Sequence, residues 1–162
     1  MTNSKKFFAH WDDVHRITLK LLKEIPADRL DFKPAPSSMS LADLAVHIFH
    51  GEKVLAQTGV RGDITMEDFK TIPHPHPKTP QEIYDYAVQV HDETNRLLAH
   101  KSWEELNQPI KWPWGELTLF EHLHSAFEHH WHHRGQLYVY LRMVGVEKPP
   151  FVFGYAEVEA HA

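Results

Sequence analysis

Four stretches of this chain repeat apolar residues at three- and four-residue steps, and prolines or glycines separate them. That period belongs to helices that bury one face, and the buried faces must find each other. The first stretch spans residues 4–24, where Phe7, Trp11, Val14, Thr18 and Leu21 share a stripe that Pro26 stops. The second opens at Ser40, with Asp43 three residues on in a capping pattern. It carries Leu41, Leu44, Ala45, Ile48, Phe49 and Leu55 and fades near Thr58 and Gly59. The third starts on Thr79-Pro80 with Glu82 in the first turn, and Ile83, Ala87, Val90, Thr94 and Leu97 carry it to about His100. The last runs from Thr118, with Glu121 three residues on, to Met143 or Val144. Gly145 follows as a helix terminator and Pro149-Pro150 forbids continuation.

The connections are unequal. Residues 27–38 carry Pro34 and Pro36 and read as a plain link. Residues 59–78 form a long irregular segment in which His74 and His76 alternate with proline, with one helical turn expected near 66–70. His74 and His76 are expected in solvent, with lidding of a site as the alternative. Pro113-Trp114-Gly115 predicts a turn, and a minimal hairpin over 110–117. The tail 151–162 is expected to pack back before fraying. The reading is all-α: one four-helix-bundle domain over residues 1–162, with no internal repeat and a long connection between helices two and three.

The chain has 15 histidines and no cysteine. A disulfide scaffold, a cysteine nucleophile, an iron–sulfur cluster and a thiolate zinc finger are excluded, so a transition-metal site must use imidazole and carboxylate. A net charge of −5 makes a broad nucleic-acid groove improbable. No apolar run approaches the roughly 20 residues that span a bilayer, and the first residues lack a signal peptide's apolar core, so a cytoplasmic location is expected. Protonating every histidine would move the formal charge from −5 to +10, so acid should displace a bound metal and unsettle the fold.

Six histidines fall between His122 and His133 in the last helix. His129 and His133 lie about 40° apart on the wheel, one turn up the same face, where two imidazoles can reach a single ion. The pairs His129–His132 and His130–His133 are worse aligned. A catalytic ion wants three protein ligands and an open position. His47, among Leu44, Val46 and Ile48, is the best third ligand from a facing helix, with His50 weaker. Gly51, one turn on, leaves room for a ligand or a close neighbour. Glu52 reads first as a solvated helix carboxylate, and alternatively as a general base or an outer-sphere partner. Gln136 lies on the ligand face and can hydrogen-bond an imidazole or substrate. Arg134 reads as a salt bridge within the bundle. Trp11, Trp112, Trp114 and Tyr138 are either pocket walls or core. His10, His15, His91, His100 and His161 have no supporting context.

These residues resemble the DinB-like superfamily. The match lies in His129-His130-Trp131-His132-His133-Arg134-Gly135-Gln136, then Leu141-Arg142, Gly145 and Pro149-Pro150. Upstream, Phe32-Lys33-Pro34, the run Ser40 to His47, and Glu52 resemble the family's second-helix block. His130 and His132 are additions to the motif. The resemblance covers nearly the whole chain. It implies a four-helix bundle that holds a divalent metal on His47, His129 and His133, often as a homodimer. It also implies similarity to S-transferases that use bacillithiol, mycothiol or related thiols, including relatives of maleylpyruvate isomerase. Zn²⁺ is the first expectation for the ion, with Ni²⁺ or Fe as alternatives. The substrate is expected to be a small molecule, with no nucleic-acid or membrane partner. The expected activity is thiol-dependent transfer to a small electrophile with an external low-molecular-weight thiol. The alternatives are hydrolysis by metal-activated water, a non-catalytic metal- or ligand-binding module, and a structural bundle with incidental histidines.

Overall fold

The computed structural model describes residues 4–150. Its four long helices are α1 (Ser4–Leu22), α2 (Leu41–Arg61), α4 (Pro80–Leu98) and α6 (Leu119–Met143). Each of the last three begins on a side chain that serves an otherwise unpaired backbone amide. Ser40 Oγ accepts from the Asp43 amide at 3.1 Å, and Thr79 accepts from Glu82 at 3.1 Å. Thr118 accepts from Glu121 at 3.1 Å, while the Glu121 carboxylate takes the Thr118 amide at 2.8 Å.

Two local features depart from expectation, the length of α2 and a short extra helix before the hairpin, while the turn expected near 66–70 is present. Helix α2 continues to Arg61 because Gly62, at φ +90°, supplies the left-handed residue that ends it. The irregular segment contains α3 (Asp68–Thr71), held by Asp68. That carboxylate accepts from the Arg61 guanidinium twice at 2.8 Å and from the Thr65 amide at 2.7 Å. A short helix α5 (Trp103–Leu106) precedes the hairpin, set by a capping box between Ser102 and Glu105. The hairpin pairs β1 (Pro109–Trp112) with β2 (Gly115–Thr118) antiparallel, Ile110 opposite Leu117. The expected packing of residues 151–162 lies outside the described residues.

Helix α2 packs on α4 and α6, and α1 packs on the same two, so the cyclic order is α1, α4, α2, α6. α1 and α2 therefore face each other diagonally. At α2–α6 the α2 backbone lies directly against α6 side chains: a Cβ built on Gly59 would stand 2.8 Å from Leu119 Cδ1.

The core has two apolar parts. One holds Leu21, Leu44, Ile48, Phe49, Ile83, Leu137 and Leu141. The other holds Trp11, Val14, Leu55, Leu98, Leu123 and Phe127. Trp11 thus lies in the core, while Trp114 is exposed. Along each helix the two parts are separated by polar residues: His15 and Thr18 in α1, Glu52 in α2, His91 and Thr94 in α4, His130 in α6. No described helix is long and apolar enough to cross a membrane.

Candidate metal centre

On α6, successive turns place His129 and His133 on one side, facing α2. On α2, His47 is a partly exposed residue between buried Val46 and Ile48, on the seam with α6. One nitrogen from each of His47, His129 and His133 lies within 4.8 Å of the others. His129 Nε2 and His47 Nε2 are 3.1 Å apart. The ring centroids of His133 stand 4.5 Å from those of both His47 and His129.

Neighbours fix the rings. The His133 Nδ1–H donates to Gln136 Oε1 at 2.8 Å, which leaves Nε2 as the free lone pair. Gln136 Nε2 in turn sits 3.2 Å from His132 Nε2. This is the outer-sphere pattern that orients metal-binding histidines and raises their basicity. His129 packs directly on the α2 backbone: a Cβ built on Gly51 would fall 2.3 Å from His129 Cε1 and 2.7 Å from Nδ1. Its Nδ1 is buried without a partner, so Nε2 is the nitrogen it turns to the group.

The electrostatics favour neutral rings. Burial, then the neighbouring His133, His50 and His74, push His47 down to about 4. Burial, then His133 and His47, push His129 down to about 3. Burial also lowers His133, partly offset by its bond to Gln136. At neutral pH all three lone pairs are free. An all-imidazole set of this kind suits Zn²⁺, Ni²⁺, Cu²⁺ or Fe²⁺. All three residues are partly exposed, so the group is open to solvent.

These shifts set a pH dependence. Imidazoles of the unfolded chain titrate near 6.5, and those of His47 and His129 in the fold near 4 and 3. Between these limits the unfolded chain binds more protons, so stability is whole above the unfolded value and falls as pH drops through the window. His50, His122 and His130 are lowered too and act in the same direction. The urea midpoint of the metal-free protein should therefore be lower near pH 5 than near pH 7. A midpoint that rose on acidification would contradict these directions.

Other residues fall elsewhere. His50 is buried and meets the ring of His74 edge-on at 4.9 Å. His74 is thus half-buried against α2, while His76 is exposed. Glu52 is not solvated: it is 2% exposed and its Oε2 bonds His15 Nε2. His15, Glu52 and His130 form a second group of donors within 4.8 Å of one another. Arg134 donates to the Val14 carbonyl at 3.3 Å and ties α6 to α1, with no carboxylate partner among the described residues. Trp112 donates to His122 Nδ1 at 3.1 Å, and His122 lies buried at 2.8 Å from the Leu55 carbonyl. Tyr138 lies under the Arg142 guanidinium. Sequence reasoning passed over His15 and His91. The signal for His15 was its place four residues after Trp11 and three before Thr18, within the stripe of α1.

The family model described as DinB family matches residues 1–160. The uncharacterized protein YjoA of Bacillus subtilis is 27% identical over 154 residues, covering 93% of this chain and 97% of that protein. The crystal structure of that DinB-like protein superposes with a TM-score of 0.76 at 26% identity, covering 89% of this chain and 95% of the other. A DinB-like protein of Bacillus cereus ATCC 10987 superposes with a TM-score of 0.74 at 23% identity, over 93% and 98% of the two chains, a likeness of fold.

Proposed function

The chain belongs to the DinB family, and on that premise we propose that it is a divalent-metal enzyme that joins an external thiol to a small electrophile. The observation that carries this reading is the convergence of three imidazoles, joined by no carboxylate among the described residues, on a half-exposed seam between α2 and α6. When bound, a cation such as Zn²⁺ supplies Lewis acidity at its open position, lowering the pKa of a thiol or water there.

The chain's own residues do the rest. His47, His129 and His133 hold their lone pairs free at neutral pH because burial disfavours their charged forms. Gln136 keeps the His133 proton on Nδ1 and so aims Nε2 inward. Gly51 lets His129 lie flat on α2. The chain has no cysteine, so the sulfur must come from a separate molecule. His74 packs against His50 and is near enough to His47 to help lower its pKa.

The test pairs tag-free, zinc-loaded protein with several low-molecular-weight thiols and a panel of electrophiles. Adduct formation should require the ion and be lost in His133→Ala. Turnover that survives both chelation and H133A would refute the assignment. Ester hydrolysis without any thiol would select the metal-dependent hydrolase instead.

A further inference from the structure

The polar layer between the two halves of the core contains a second donor set, independent of the three-histidine group. Each long helix supplies one member: His15 from α1, Glu52 from α2, His91 from α4 and His130 from α6. His15, Glu52 and His130 are 1%, 2% and 3% exposed. The contact between His15 and Glu52 crosses the bundle diagonally. The His15 ring stacks on His91 at 3.9 Å and meets His130 edge-on at 5.0 Å.

The outward nitrogens of His15 and His130 are each committed to an acceptor. His15 Nδ1–H donates to the Trp11 carbonyl at 2.9 Å. His91 Nε2 lies 3.1 Å from Asp12 Oδ1 and 3.2 Å from the Asn95 Nδ2 amide. Thr18 gives its own proton to the Val14 carbonyl, so at 2.7 Å its hydroxyl oxygen accepts from His130 Nε2–H. That leaves His130 Nδ1 as a lone pair on a ring whose charged form burial disfavours, while His15 Nε2 is turned to Glu52 Oε2. A histidine whose far nitrogen is tied to a carbonyl, carboxylate or hydroxyl is what metal sites use.

His15 Nε2 meets only the Oε2 atom of Glu52. Oε1 is buried with no partner, and 4.0 Å away stands His91 Nδ1, also buried and without a partner. Two buried polar atoms left without partners, one of them a carboxylate oxygen, call for a positive group or a donor between them. One donor atom each from His15, Glu52 and His130 lies within 4.8 Å of the others, a spacing that a single small cation can span after modest adjustment. Four-helix bundles place metal sites in this way, with ligands from facing helices at one level of the core.

We propose that this layer is a second divalent-metal site, in which His15, Glu52 and His130 are the ligands and His91 completes the set. Mixed imidazole and carboxylate donors suit Zn²⁺, Fe²⁺ or Mn²⁺. Four protein donors leave little room for substrate, so the ion is structural: it clamps all four helices where the apolar core is interrupted. A cleft of about 230 Å³ between α1 and α4, with His15 and His91 among its lining residues, gives a route inward.

The experiment uses the tag-free full chain with Zn²⁺ or Co²⁺ alone, and separates the two sites by variants. The double variant His47→Ala/His129→Ala removes the three-histidine group and should still retain one ion per chain after exhaustive dialysis. Adding Glu52→Gln should remove that ion and abolish the metal-induced rise in Tm. If H47A/H129A is folded by circular dichroism and retains no ion, the second site is refuted, whatever becomes of the first. Should the E52Q variant fail to fold, the Co²⁺ spectrum of H47A/H129A decides. Visible ligand-field bands of a low-coordinate ion are expected, and their absence, with only a shared proton or water in the layer, overturns the proposal. Conversely, an ion lost with E52Q but not with H129A would support this site and count against the proposed catalytic one.

Discussion

His129→Ala should abolish tight ion binding at the α2–α6 seam while leaving the helices folded. His129 supplies the Nε2 that stands 3.1 Å from His47 Nε2, so its loss leaves two imidazoles on different helices with no third donor. Removing an outer-sphere partner of a metal ligand typically costs about 10–100-fold in affinity, and removing the ligand itself should exceed that range. The fold should survive because the apolar members of α6, Leu123, Phe127, Leu137 and Leu141, are untouched. Calorimetric titration of tag-free protein with Zn²⁺ checks this. Wild-type affinity in H129A would show that the seam is not the binding site.

Gly51→Ala should weaken the same ion nearly as much, although glycine offers no donor. An alanine Cβ would stand 2.3, 2.7 and 3.0 Å from three atoms of the His129 ring, inside contact distance for all of them. Helix α2 cannot yield, because Val46, Ile48, Phe49 and Val54 on either side are buried in the core. The His129 ring must swing away and take Nε2 with it. The sign of the stability change is informative. Alanine replacing glycine inside an exposed helix gains up to about 1 kcal/mol. Here overpacking should instead cost about 1–3 kcal/mol, read from urea denaturation of the metal-free protein. A more stable G51A protein with unchanged zinc affinity would show that His129 does not rest on α2.

The elements were legible in the sequence because their causes are local. Ser40, Thr79 and Thr118 each precede an acidic residue at the third helical position, and the helices start there. The Ser102 to Glu105 box was equally readable, but a four-residue helix has no apolar period to draw attention to it. The i, i+4 pairing of His129 and His133 follows from helix geometry alone. His47 was readable only as a histidine on an apolar face. That it meets α6 depends on which helices are neighbours, and loop sequences do not specify this.

Glu52, His15, His91 and His130 mark where local reading stops. Each is one polar residue within an apolar stripe, and a single such residue is unremarkable. Their meaning lies in the axial offsets of four helices, which bring all four to one level between the two apolar clusters. The stripe of α6 passes through His130, between Phe127 and Leu137, while His129 and His133 lie at its edge toward α2. Adjacent histidines on one helix thus face different groups of donors, because consecutive residues point about 100° apart.

The most direct test is anomalous diffraction at the zinc edge from crystals of tag-free protein grown with Zn²⁺. A peak about 2.0–2.1 Å from one nitrogen each of His47, His129 and His133 is the predicted result. Zinc found only on exposed side chains such as His132, His124 or His76, with none between α2 and α6, would contradict it.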